Sequence, residues 1–259
     1  MQDRKSTIAL IFFTIIIFII NGCSNSSGDK TSAAKKSEAS AAIEPSQKTA
    51  PTGPMFAVIG IDISGSYDVM TSKALVICKN IVMNAAAGDE YVIRTISAES
   101  YPPMVEWKKR NGKVVRHDNT VAHAKFIDVP KAPNRFNKQA RRRYLMAQRA
   151  FQAQKRRLVQ KLEQMTFEPA PQTDIHGFIQ AASDLFANAP AGTRKVLFFA
   201  TDLKDTARLT CNPDLSDVEV IIFEFLVDVN PIQTLKRRDT WLESLQKWGA
   251  TKVTVRPAN

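Results

Sequence analysis

The sequence predicts an α/β domain over residues 55–259, a doubly wound, mainly parallel sheet with helices on both faces. Three observations predict it. Apolar runs without alternation at 55–61, 195–200 and 218–227 have the length and composition of strands buried on both sides. Amphipathic stretches of helical length separate the runs, several of them opened by proline or closed by glycine. The 205 residues from Met55 onward suit one domain of this kind.

The composition excludes other classes. Of 259 residues, 44% are hydrophobic, too many for a wholly disordered chain. Three cysteines exclude a disulfide-rich scaffold. Only one apolar run could enter a bilayer, and it lies at the N-terminus, which excludes a multi-span membrane protein.

In chain order, Arg4 and Lys5 precede the apolar run 8–20. As a helix the run spans about 20 Å, short of a ~30 Å hydrocarbon core. This is the pattern of a secretory signal peptide. Its exit, Ile20-Asn21-Gly22-Cys23, resembles the bacterial lipobox, with Asn21 in place of the more usual Ala or Ser. The resemblance implies that residues 1–22 are removed, that Cys23 is lipidated, and that the chain is held by lipid in the bacterial cell envelope. Ser24, not being Asp, implies the periplasmic side of the outer membrane in a host with two membranes. Residues 23–54 are rich in Ser, Ala, Lys, Pro and Thr and cannot bury enough surface to order themselves, so they read as a lipid-tethered flexible linker.

The first strand, 55–61, ends at Asp62, and a helix follows over 67–87, closed by Gly88. A second strand covers 91–96. Segments 105–109 and 113–116 flank Asn111-Gly112, a strong hairpin signal. Residues 125–129 read as a strand or an edge extension. Pro133-Asn134 opens a helical pattern to about Met165, about 48 Å if unbroken. That exceeds the width of a small α/β domain, so one end protrudes or the helix bends. Thr173-Asp174 caps a helix running to about Asn188. The strand 195–200 ends at Thr201-Asp202, and the strand 218–227 follows. A helix over 231–248 starts with Pro231 and stops at Gly249, and 252–255 is a last strand.

The informative residues lie where strands end, the side on which open α/β sheets bind ligands. The first strand delivers Asp62-Ile63-Ser64-Gly65-Ser66. A carboxylate and two hydroxyls alternating along a turn suit a hard cation, which takes about six oxygen ligands including waters. A plain serine-rich turn capping the next helix is the alternative reading. With Thr173-Asp174 opening one helix and Thr201-Asp202 ending another strand, the arrangement resembles the von Willebrand factor A (VWFA) domain, a Rossmann-like α/β fold, and its metal-ion-dependent adhesion site. The resemblance covers nearly all of 55–255. It implies Mg²⁺ or Mn²⁺ bound directly by Ser64 and Ser66 and directly or through water by Thr173, with Asp62 and Asp202 holding metal-bound waters. Two departures stand out. A hairpin and a long basic helix are inserted before Thr173, and Leu203 follows Asp202 where glycine is frequent. The strand order that the resemblance implies also sets Cys78 and Cys211 on opposite sheet faces, as separate thiols.

Phosphate-binding motifs of the G-x-x-x-x-G-K-[ST] and G-x-G-x-x-G types are absent from the sequence. Ser64 or Ser66 as a nucleophile would need a base, and His176, near this face, reads instead as a helix-surface residue. His117 and His123 fit hairpin or loop positions. The chain is therefore expected to be a binding module and not an enzyme.

The formal charge of +11 is concentrated. Eleven basic residues and no acid lie between Val129 and Leu162; elsewhere 25 basic residues match 25 acidic ones. On a helix, Tyr144, Ala147, Phe151, Leu158, Leu162 and Met165 share a face, while Arg135, Lys138, Arg142, Arg149 and Arg156 cluster opposite. A solvated face explains such a stripe, and so does an anion-binding surface. Two functions remain: an envelope lipoprotein binding a protein partner whose acidic group completes the metal's coordination, or an assembly component of a secretion or conjugation apparatus that acts through Arg135, Arg142, Arg149 and Arg156. Export sets nucleic acid aside as a partner.

Overall fold

The computed structural model describes residues 53–101, 108–110, 113–115, 119–207, 211–225 and 230–257. The signal peptide, Cys23, nearly all of the linker, the Asn111-Gly112 turn and His117 lie outside the described residues.

A six-stranded sheet forms the centre, in the order β5-β2-β1-β6-β7-β8. Strand β1 (Met55–Asp62) pairs in parallel with β2 (Glu90–Ile96) on one side and β6 (Arg194–Ala200) on the other. Parallel pairing continues through β7 (Val218–Phe225) to β8 (Lys252–Pro257). At the other edge, β5 (Thr120–Lys125) runs antiparallel to β2. The short strands β3 (Lys108–Arg110) and β4 (Lys113–Val115) pair with each other in a separate hairpin, as Asn111-Gly112 predicts.

The fully buried run of β1 alternates between two cores. Phe56 and Val58 join one with the helices α3 (Ile175–Ala187) and α4 (Pro231–Lys247); Ala57, Ile59 and Ile61 join the other with α1 (Asp68–Met83) and α2 (Lys138–Glu163). Burial on both faces is what the unalternated strands required. The chain leaves β1 toward β2 on one side, and β6 leads toward β7 on the other. The carboxyl ends of β1 and β6 thus form the switch point of the sheet.

Three elements are bounded well away from the sequence reading. Helix α1 stops at Met83, with its cap at Asn84, and Gly88 (φ +83°) serves the later turn into β2. There Asp89 accepts from the Met55 and Ala86 backbone N–H groups, at 2.8 and 2.7 Å. The edge strand is 120–125, ending where 125–129 was expected to begin. Its register is set by pairing with β2, and Phe126 then turns inward against Tyr91 and Phe151. His123 lies on this strand, bonded to Glu90 at 2.7 Å, rather than in a loop. Helix α2 starts at Lys138 because Asn137, and not Asn134, accepts from the Ala140 N–H at 2.9 Å. Arg135 therefore precedes the helix, its guanidinium 4.8 Å from the Phe136 ring.

The basic helix also differs in its packing. Only Phe151, Lys155, Leu158 and Leu162 are buried, all in its second half. Lys155, one of the eleven cations, is structural. Its ammonium donates to the Met83 carbonyl at 2.9 Å and lies 4.5 Å from the Phe151 ring centre, and burial lowers its pKa. Cys78 and Cys211 are free thiols associated with opposite layers, Cys78 in the α1 core and Cys211 donating to the His176 carbonyl at 3.4 Å on α3. Burial pushes the Cys78 thiol up to about 12 and Cys211 to about 11. Among the described residues no helix is long and apolar enough to cross a membrane.

Candidate metal centre

Three loops meet at the switch point. The first carries Asp62 at the end of β1 with Ser64 and Ser66 beyond it, the second carries Thr173 ahead of α3, and the third carries Thr201 and Asp202 beyond β6. Backbone bonds stitch them together. The Ala170 N–H donates to the Ile63 carbonyl at 2.8 Å, and the Gly65 N–H donates to the Ala170 carbonyl at 3.1 Å. Thr173 is clamped to the third loop at both backbone groups. Its N–H donates to Thr206 Oγ1 at 2.9 Å, and its carbonyl accepts from the Thr206 N–H at 2.9 Å.

The five expected residues therefore sit on adjoining loops. Asp62, Ser64, Thr173 and Asp202 are buried, whereas Gly65 and Ser66 are exposed, so the cluster opens to solvent on one side. Ser64 Oγ faces Ser66 Oγ at 3.2 Å. The N-cap residue of α1 is Tyr67, whose side chain makes no capping bond.

Asp62 is held at both oxygens. The Ser64 N–H donates to Oδ1 at 2.8 Å and the Thr201 hydroxyl to Oδ2 at 2.7 Å. Burial nonetheless raises its pKa, the nearby Asp202 charge adds to the rise, and the two hydrogen bonds oppose it. Asp202 accepts from the Lys204 N–H at 3.0 Å. Its other oxygen is buried without a hydrogen bond, and the Lys204 ammonium lies 3.2 Å away as an ion pair without hydrogen-bond alignment. Two buried carboxylates, one with an oxygen that makes no hydrogen bond, fit a positively charged guest. Among the described residues no group of three or more His, Cys, Asp or Glu side chains could hold a metal ion, so a cation at this cluster would have to rely on hydroxyl oxygens.

Sequence reasoning missed three supports. Thr201 holds Asp62 and also accepts from the Leu203 N–H at 3.1 Å. Leu203 adopts φ +61°, the left-handed conformation for which glycine is suited. Its side chain is buried in the α3 core and its carbonyl accepts from the Trp241 indole at 3.1 Å, contacts that offset the backbone strain. Asp174, read only as a cap, accepts from the Gly177 N–H at 2.7 Å and from the Ser100 N–H at 2.9 Å. It ties α3 to the loop after β2. Asp174→Ala would strand two buried backbone donors and should lower unfolding stability by about 1.5–3 kcal/mol in urea titration.

His176 is not a plain surface residue. It pairs with Asp205 and packs against Trp241, with ring centres 4.7 Å apart. His176, Asp205, Lys204, Arg237 and Trp241 line a cleft of about 510 Å³ beside the Asp202 loop.

No protein-family model matches the chain, and no curated protein does. Among solved structures the chain is similar to a von Willebrand factor type A protein from Catenulispora acidiphila, at 15% identity and a TM-score of 0.45, over 80% of this chain and 39% of that one. It is also similar to the pilus adhesin SpaC from Lactobacillus rhamnosus GG, at 13% identity and a TM-score of 0.43, over 80% and 28%. A third is proximal thread matrix protein 1 from the mussel byssus, at 11% identity and a TM-score of 0.42, over 78% and 43%. The chain thus spans less than half the length of each of these structures.

Proposed function

We propose that this chain is a lipid-tethered envelope protein whose domain binds a protein partner through a Mg²⁺ or Mn²⁺ ion at the switch point. The observation that carries the reading is the three-loop cluster itself. Ser64, Ser66 and Thr173 would hold the ion, and the buried Asp62 and Asp202 would orient its waters and balance its charge. The bound ion would supply a hard Lewis acid facing solvent at Ser66, where an acidic side chain of the partner completes its coordination. Nothing in this reading calls for turnover, so the protein acts by binding. Lipidation at Cys23 would keep the domain at the membrane, since two acyl chains suffice for stable anchoring.

Titration of the full chain with MgCl₂ or MnCl₂ in a calorimeter tests the metal. Binding should raise unfolding stability by roughly 2.7 kcal/mol at a hundredfold excess over Kd. Ser66→Ala, at an exposed position, should weaken binding about tenfold and leave the metal-free melting curve unchanged. Retention of an envelope partner should need both the ion and Ser66. A chain that takes up neither ion, and melts identically in EDTA and in excess Mg²⁺, refutes the reading.

A further inference from the structure

The first half of α2 is a surface in search of a partner. From Lys138 to Ala150 no side chain is buried. Lys138, Arg141, Arg142, Leu145, Met146 and Arg149 recur at three- and four-residue spacings and form one face. That face points away from Phe151, Leu158 and Leu162, which seat the helix on the domain. At its centre Leu145 is 42% and Met146 61% exposed, and Phe136, just ahead of the helix, is 76% exposed. The stripe read from the sequence is thus not purely ionic, because an apolar pair sits inside it.

We propose that this face docks on an anionic lipid surface. Headgroup phosphates match the guanidinium and ammonium groups, and the boundary beneath them accepts Leu145, Met146 and Phe136. With no acid between Val129 and Glu163, the helix carries no negative charge before its last residue to offset the attraction. A second copy would bring the same cations against themselves. Nucleic acid would satisfy the arginines but leave the apolar residues in water. The inference is independent of the metal site.

Amide exchange of the full chain, reconstituted into vesicles, tests it. One set contains phosphatidylcholine alone; the other includes about one-third phosphatidylglycerol, which provides the negative surface. The N-terminal apolar run is common to both sets, and α3 and α4 report on the integrity of the fold. Exchange over 138–150 should slow about tenfold in the anionic vesicles only, the scale of one or two cations engaged. It should recover at high salt, as the Debye length drops below ~8 Å. R142Q/R149Q should abolish the slowing and L145S/M146S should weaken it, with α3 and α4 unchanged in both. Equal exchange in the two vesicle types overturns the proposal. So does equal slowing by soluble polyphosphate or duplex DNA in which L145S/M146S behaves as wild type, since the face would then be a general polyanion site.

Discussion

Asp62→Asn is expected to stabilise the metal-free protein while weakening its Mg²⁺ binding about 10–100-fold, the usual cost of removing a group that orients bound ligands. The two effects share one cause. Burial raises the Asp62 pKa above its ordinary value of 3.8. Between that value and the raised one, the folded state binds more protons than the unfolded state, so stability falls as pH rises through the window. At neutral pH the full penalty of a buried charge is present. Asparagine removes the charge and keeps an acceptor for the Ser64 N–H, while the Thr201 hydroxyl can turn to accept from the new amide. The melting temperature in EDTA should therefore rise by a few degrees, the scale of about 1 kcal/mol in a domain of this size. Relative to the variant, the wild type should lose stability as pH rises through that window, so the gain from Asp62→Asn should grow from acid to neutral pH. A variant that melts lower in EDTA and keeps the wild-type response to Mg²⁺ would show that Asp62 is a structural acceptor only.

The opposition between stability and charge is what a cation site requires. Asp62 is hydrogen-bonded at both oxygens, yet burial penalises its charge and the Asp202 charge adds to that penalty. Lys204, 3.2 Å from Asp202, supplies a positive charge from within the chain. An ion at the proposed site would have to compete with that charge.

Much of this architecture was legible in the sequence. Strands buried on both faces declare themselves by apolar runs, which is why β1, β2, β6 and β7 fall where periodicity places them. The placement of Asp62, Ser64, Ser66, Thr173 and Asp202 on loops was legible for a related reason, since strand ends and helix starts fix where loops emerge, whereas a role at a metal came only with the resemblance. The edge strand β5 was misplaced because Thr120 to Lys125 has little apolar alternation and its register comes from β2. The start of α2 shifted because either Asn134 or Asn137 could cap it, and the choice depends on local geometry beyond composition. Thr201, Thr206 and Asp174 went unread as supports because their partners lie in other loops, far away in the chain. Lys155 looked like one more surface cation, yet its stem reaches across to the end of α1.

Gly60 links the strand to the site most directly. It lies two residues before Asp62 on the β1 face that meets α3, and a Cβ there would run into the Phe178 ring. Phe178 sits in the first turn of α3, whose cap Asp174 immediately follows Thr173. A side chain at position 60 must therefore push α3 outward or bend β1, and either movement separates Thr173 from Ser64. Overpacking a close-packed core costs about 1–3 kcal/mol for a modest addition, and a β-branched side chain against a ring exceeds that. Gly60→Ala should lower unfolding stability by about 2 kcal/mol and Gly60→Val by about 4 kcal/mol. Below its melting point the alanine variant should also bind Mg²⁺ more weakly. Phe178→Leu, itself destabilising, should restore part of both losses when combined with Gly60→Ala, because the two substitutions share one contact. Chemical denaturation and calorimetry of the four proteins in that cycle measure the coupling. Strict additivity would mean that strand β1 yields at Gly60 without moving α3, and that the site is not held by this contact.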